Sequence, residues 1–168
     1  GIAAYNGYMY IAGGDGNTSD LRSVQSIPIN SDGSITGSWS NVAAGLLPDT
    51  DGYQGCRATI YNGYLYVAGG ASTTYKNKVY YTALNANGTT GNSWSSNTFT
   101  DGRYQLGMAA YNGYMYIMGG TDDTTLMADV QYAPINANGS LGSFVYTASL
   151  NNPRKDFGVT VQNGYMYV

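Results

Sequence analysis

Two arginines, Arg103 and Arg154, stand eight positions ahead of Tyr111 and Gln162, each of which precedes an Asn-Gly pair. The same count back from Tyr61 reaches Tyr53. A planar guanidinium offers a fork of donors that can grip a carboxylate through paired hydrogen bonds. Like charges repeated at one position would focus a positive field on an anion. The same donors could instead hold a neighbouring loop carbonyl, Asp101 or Asp156, and both roles stay open at this point. Further polar and aromatic groups, Asp15, Asn17, Tyr75, Lys76, Asp122 and Asp123, fall in three segments that differ in charge and size: Asp15 to Ser23, Ala71 to Lys78 and Thr121 to Asp129. Divergent segments on a constant frame are the pattern expected of a recognition surface.

Several chemistries are closed to these residues. The chain has no histidine, no glutamate and one cysteine, Cys56, so it holds no Ser-His-Asp triad, no zinc cluster and no imidazole base. A lone cysteine also excludes an intrachain disulfide and any C-x-x-C motif. Asp122-Asp123 reads as a polar loop, and calcium binding there or at Asp15 lacks the dense carboxylate spacing that calcium loops need. No cofactor is expected. The seven basic residues are scattered, against the clustered patch that nucleic-acid binding requires. No apolar run approaches the roughly 20 residues of a membrane helix, so membrane insertion is not expected. With charged residues at 10% and many Ser, Thr, Asn and Tyr, the composition leans towards a secreted or cell-surface protein.

These groups must be held by a frame that the sequence writes repeatedly. "YNGYMYIAGG" at Tyr5 to Gly14 returns as "YNGYLYVAGG" at Tyr61 to Gly70 and "YNGYMYIMGG" at Tyr111 to Gly120, and "QNGYMYV" at Gln162 to Val168 begins a fourth copy. Successive Asn-Gly pairs are 56, 50 and 51 residues apart, a period of solenoids, propellers or arrays. Apolar runs on both sides of Asn-Gly predict a hairpin, because both central residues of a type I′ turn need positive φ. A glycine doublet follows, then a polar loop, then "VQSIPIN", "VYYTALN" or "VQYAPIN", then a second turn at Asp32-Gly33, Asn87-Gly88 and Asn138-Gly139. Each period closes on Trp39, Trp94 or Phe144, at 25, 24 and 24 residues from the second glycine. That makes four short strands per period in an all-β chain with helix nearly absent.

Four strands per period of about 50 residues, with a glycine doublet ending the second and an aromatic in the fourth, resemble the kelch repeat. The resemblance covers essentially the whole chain and implies a β-propeller of four-stranded antiparallel blades: blade 1 at 1–47, blade 2 at 56–99, blade 3 at 106–149 and a half blade at 157–168. The strand-three tyrosine of such repeats is matched by Tyr81 and Tyr132 and replaced by Ser26. Glycine at the end of strand two would let neighbouring backbones approach, the aromatic would fill the space between blades, and the tyrosines of the repeated phrase would be packing residues. About three and a half blades do not close a ring, so the expectation is an excerpt of a longer protein, with a homo-oligomer completing the ring as the alternative.

The resemblance also implies where function lies: the loops from strand two to three and from strand four to the next strand one share a face, and kelch repeats often carry arginine at the place of Arg103 and Arg154, near the channel mouth. The first connection is longer, 22 residues from Trp39 to Tyr61 against 17 and 18 later, so "LLPDTDGYQGC" is expected to project over that face. The favoured reading is a non-enzymatic module that binds a protein or glycan there. The rival is a fragment of a carbohydrate-active kelch-type enzyme, such as a sugar epimerase or oxidase, with its catalytic residues outside this chain. Kelch-like copper oxidases ligate metal through histidine and tyrosine, and the histidines are missing.

Overall fold

Each Asn-Gly pair reverses the chain because both of its residues take positive φ: 47° and 76° at Asn6-Gly7, 45° and 75° at Asn62-Gly63, 48° and 80° at Asn112-Gly113, 52° and 82° at Asn163-Gly164. These are the type I′ turns whose twist matches the flanking strands. In the computed structural model, which describes all 168 residues, they join β1 (Ile2–Tyr5) to β2 (Tyr8–Ala12), β5 (Arg57–Tyr61) to β6 (Tyr64–Ala68), β9 (Gly107–Tyr111) to β10 (Tyr114–Met118), and β13 (Thr160–Gln162) to β14 (Tyr165–Tyr167). The register places Tyr5 opposite Tyr8, Tyr61 opposite Tyr64, Tyr111 opposite Tyr114 and Gln162 opposite Tyr165.

Two more strands complete each of the first three periods: β3 (Val24–Pro28) and β4 (Ser40–Asn41), β7 (Lys78–Ala83) and β8 (Ser95–Thr98), β11 (Val130–Pro134) and β12 (Val145–Thr147). The result is three four-stranded antiparallel sheets in simple meander order and a two-stranded one, with no helix. Tyr10 faces Ser26 where Tyr66 faces Tyr81 and Tyr116 faces Tyr132, so the strand-three equivalence holds and the first sheet does carry serine there. Trp39, Trp94 and Phe144 stand one residue ahead of the fourth strand, not inside it.

The innermost strands β1, β5, β9 and β13 adjoin one another in that order, which is the arrangement of propeller blades. The core lies between the sheets. Leu65 and Val67 of β6 pack with Tyr10, Ala12, Val24 and Val42 of the first blade. Tyr66 and Ala68, on the opposite face of the same strand, pack with Met108, Met115 and Ile117 of the third. β6 is therefore buried on both sides, and its sequence is apolar without a polar alternation, as expected of such a strand.

The aromatic phrase interlocks neighbouring blades. Tyr10 donates its hydroxyl to the Gly88 carbonyl at 3.1 Å, and Tyr66 repeats this one blade on with Gly139 at 2.8 Å. The Tyr61 hydroxyl accepts the Gly113 N–H at 2.8 Å. Burial pushes the Tyr66 hydroxyl well above the ordinary tyrosine range, with Tyr64, Tyr81 and Tyr61 nearby adding to the effect. The glycine doublets act at the other end of the blades. A Cβ on Gly13, Gly69 or Gly119 would fall 2.6, 2.6 or 2.7 Å from the carbonyl oxygen of Tyr53, Arg103 or Arg154. The next glycine of each doublet donates its N–H to that same oxygen, at 3.1, 3.0 and 2.8 Å.

Two glycines separate conformational cost from contact cost. Gly113 and Gly139 have nearly the same φ, 80° and 79°, but a Cβ on Gly113 meets nothing within 4 Å whereas one on Gly139 lies 2.3 Å from the Tyr64 ring. Gly113→Ala is expected to lower unfolding free energy by about 1 to 2 kcal/mol, the cost of the left-handed region. Gly139→Ala should add roughly 1 to 3 kcal/mol by displacing the ring. Urea denaturation measures both, and equal losses would remove the interlock.

Candidate functional site: the loop face

The loops from strand two to three and the connections between blades lie together at one end of the sheets, as meander topology dictates. Tyr53, Arg103 and Arg154 hold equivalent places there. Their N–H groups donate to the carbonyls of Leu21, Lys76 and Met127 at 3.0, 3.0 and 3.1 Å, and their own carbonyls receive the glycine doublets. The backbone at this position is a seam between blades, and the side chains divide in role.

Arg103 is fully buried. Its Nη1 donates to Asp129 Oδ1 at 2.7 Å and to the Gly119 carbonyl at 3.2 Å; Nη2 reaches the Thr100 carbonyl at 3.0 Å and Nε the Asp101 carbonyl at 3.1 Å. Gln131 closes the network, donating to Asp129 Oδ2 at 2.9 Å while its Oε1 accepts the Thr100 N–H at 2.9 Å. Every nitrogen of the guanidinium is bonded inside the chain, so the anion-gripping role expected of Arg103 gives way to the structural alternative. Its carboxylate partner is Asp129; Asp101 contributes only its loop carbonyl and Asp156 nothing.

Tyr53 is likewise buried rather than presented to ligand. Its hydroxyl donates to Asp49 Oδ2 at 2.8 Å, Tyr80 donates to Asp49 Oδ1 at 2.9 Å, and Lys78 Nζ lies 3.8 Å from the same oxygen. Burial, with Asp49 adding to it, drives the Tyr53 hydroxyl far above the ordinary range. Lys78 and Asp129 occupy matching places, each just ahead of the valine that pairs with the end of strand two. The first seam is thus a charge-inverted version of the second: the acid comes from the connection and the cation from the blade. Arg154 is half-buried, and its side chain makes one long bond, Nε to the Asn152 carbonyl at 3.4 Å.

The exposed chemistry lies beside these seams. Tyr75 and Tyr104 stack with ring centroids 5.9 Å apart and planes 25° from parallel. Both donate their hydroxyls to Asp123, Tyr75 to Oδ2 at 3.1 Å and Tyr104 to Oδ1, and Lys155 Nζ lies 6.0 Å from the Tyr104 centroid. The bond to Asp123 pushes the Tyr104 hydroxyl up to about 12 and raises Tyr75, while the two hydroxyls hold Asp123 below the usual carboxylate range. At the start of β5, Arg57 pairs with Asp156 at 3.3 Å, and Gln105 donates to Asp156 at 3.1 Å.

Two grooves flank this stack. The one between blades 1 and 2 has a volume of about 440 Å³ and is lined by Asp49, Asp51, Lys76 and Lys78 among others. Lys76 is buried in it, its Nζ 2.7 Å from Asp51 Oδ1 and 3.1 Å from Thr74 Oγ1. Lys76, with Thr73, holds the Asp51 carboxyl down at about 2. The groove between blades 2 and 3 is larger, about 760 Å³, and its walls include Tyr75, Asp101, Asp122, Leu126, Asp129 and Tyr146. Asp122 is half-buried, with its Oδ1 taken by Thr124 and Thr125. Asp15 and Asn17 are exposed on the first loop, apart from this cluster, where Gln54 donates to Asp15 at 3.3 Å.

The long first connection does not project as its length suggests. Leu47 is buried, its N–H donates to the Arg22 carbonyl at 2.9 Å, and its carbonyl accepts Arg22 Nη2 at 2.7 Å. A Cβ on Gly52 would meet Asp20 at 2.1 Å. The extra residues fold back and place Asp49 in the seam. Sequence reading missed Asp49, Tyr104, Asp129 and Gln131; Tyr104 directly follows Arg103 in the chain, whereas nothing local marks Asp49.

Arg103→Met should lower unfolding free energy by about 3 kcal/mol, at the low end for a broken buried pair because Asp129 keeps some access to water. Arg154→Met should cost less than about 1 kcal/mol. Chemical denaturation of both variants checks the contrast, and the reverse order would contradict the assignment. Asp51 gives a pH signature. Its folded pKa lies below its value of 3.8 when free, so the stability it contributes is complete above that value and is lost as pH falls towards about 2. Lys76→Met should return the Asp51 titration towards 3.8 in a carboxyl carbon NMR experiment, and an unmoved midpoint would exclude Lys76 as the cause.

No family model matches the chain and no curated protein matches it, so what this face can do is argued from its own residues.

Proposed function

We propose that this chain is a non-enzymatic binding module of kelch type, which recognises a protein or glycan through the loop face. The observation that carries the reading is the Tyr75–Tyr104 stack locked onto Asp123 beside the groove of about 760 Å³. Tyr75 is exposed and Tyr104 half-buried against it; aromatic rings of fixed orientation give contact area at little entropic cost, and carboxylates around them supply directional acceptors. These residues come from three different loops, so the constellation exists only because the blades hold those loops together. Catalysis is the weaker reading, since the groups with perturbed protonation on this face are tyrosines and Lys78 raised and aspartates lowered, away from the range useful for proton transfer at neutral pH. A secreted or cell-surface setting fits the low-charge composition.

The test is a glycan array and a peptide array probed with the wild type and with the Tyr75→Ala, Tyr104→Ala double variant. Signal on one ligand class should fall at least about tenfold in the variant, with the melting temperature little changed. Hits that the variant retains undiminished, or that NMR maps to the Asn-Gly end of the blades, would overturn the proposal.

A further inference from the structure

The two grooves are the same place in consecutive repeats, and both lysines that line the first, Lys76 and Lys78, are replaced in the second, by Met127 and by Asp129, whose carboxylate is taken by Arg103. Asp51 and Asp101 stand two residues ahead of the equivalent Tyr53 and Arg103. Lys76 and Met127 both donate their N–H to the carbonyl of the second doublet glycine, Gly70 at 2.8 Å and Gly120 at 2.9 Å, which makes them equivalent too, and with them Thr74 and Thr125. Between blades 1 and 2 the Lys76 ammonium sits in the groove wall, held by Asp51 and Thr74. Between blades 2 and 3 methionine replaces that lysine, while the aspartate and the threonine remain.

Asp101 lines the larger groove, is exposed, and its carboxylate has neither an ion pair nor a hydrogen bond within the chain; the Thr125 hydroxyl is likewise unpartnered. No lysine or arginine lines this groove, and the nearby Arg103 is consumed by Asp129 and three carbonyls. Asp122 adds a second carboxylate. Leu126 and Tyr146, both exposed, give the walls an apolar character suited to the methylene stem of a long cationic side chain, and Tyr75 and Tyr146 put two aromatic rings in the lining.

We propose that the groove between blades 2 and 3 takes the ammonium of a lysine side chain from a protein partner, at the place that Lys76 fills from within the chain one blade earlier. The inference rests on the reading of the loop face as a binding surface and names the chemistry of its partner.

The experiment is an amide NMR titration with a short Gly-Ser peptide carrying one lysine, against the same peptide with that lysine Nε-acetylated. The free lysine should shift the amides of Gly102, Thr125 and Met127, and the acetylated peptide should not. Asp101→Asn should weaken binding by roughly tenfold, as expected for loss of a charge-assisted hydrogen bond. Asparagine tolerates the positive φ of 63° at this position, so the variant isolates charge from backbone. Met127→Lys should fill the groove from within and abolish binding; if it fails to fold, Asp101→Asn decides alone. Equal binding of the acetylated peptide, or wild-type affinity in Asp101→Asn, overturns the inference. Should array ligands still depend on Tyr75 and Tyr104 while the lysine peptide shifts nothing, the ammonium site falls and the binding module stands.

Discussion

A four-stranded sheet with apolar groups on both faces is stable only when another sheet covers each of them, and here the closeness of that approach is set by the glycine doublets. The carbonyl of the connecting segment sits where a Cβ on Gly13, Gly69 or Gly119 would be. Any side chain there would push the connection outward and break the bond from the doublet N–H to that carbonyl. Because the connection leads directly into the next innermost strand, its position fixes where that strand begins. The order of β1, β5, β9 and β13 around the axis follows from a contact made at the opposite end of the blades from the Asn-Gly turns.

Fixing the backbone of this position leaves its side chain free to differ, and the two seams solve the same burial problem with opposite charges. Arg103 reaches forward to Asp129 at 2.7 Å, while Asp49 receives Tyr53 and Tyr80 with Lys78 nearby. A buried charge is tolerated only when its hydrogen-bonding groups are matched. Arg103, fully buried, meets that condition with four acceptors, and the half-buried Asp49 is held by two tyrosine hydroxyls. These networks hold neighbouring blades in register, which apolar packing alone does less sharply because it is not directional.

The frame was legible in the sequence because its signals are backbone signals. Asn-Gly demands a turn with two positive φ values, a doublet of glycine marks close approach, and a repeat of about 50 residues multiplies both. The site was legible in outline only. Its two sets of loops do lie together at one end of the sheets, and Tyr75, Lys76, Asp122 and Asp123 lie around the stack and the grooves. For Arg103 and Tyr53 the choice between a ligand role and a structural one stayed open, because the sequence shows their spacing but not their partners. Asp129 and Gln131 belong to the following blade, and Asp49 reaches its place only because the longer first connection folds back over Leu47 and Gly52. Long-range pairing of a polar side chain leaves no local trace, whereas a turn does.

The division of labour between seam and face explains how such loops can diverge without cost to the frame. Main-chain bonds from the doublets and from Leu21, Lys76 and Met127 hold each loop at its base, and none of them depends on the side chain at the tip. What varies at the tips is then free to be selected for contact: Tyr75 from one loop, Tyr104 from a connection and Asp123 from a third segment meet as a locked unit. Both phenolic hydroxyls are committed to one carboxylate, so the rings lose little further freedom when something packs against them. An exchange as small as methionine for lysine, at one equivalent position of consecutive repeats, is enough to leave the Asp101 carboxylate without the intrachain ammonium that Asp51 has.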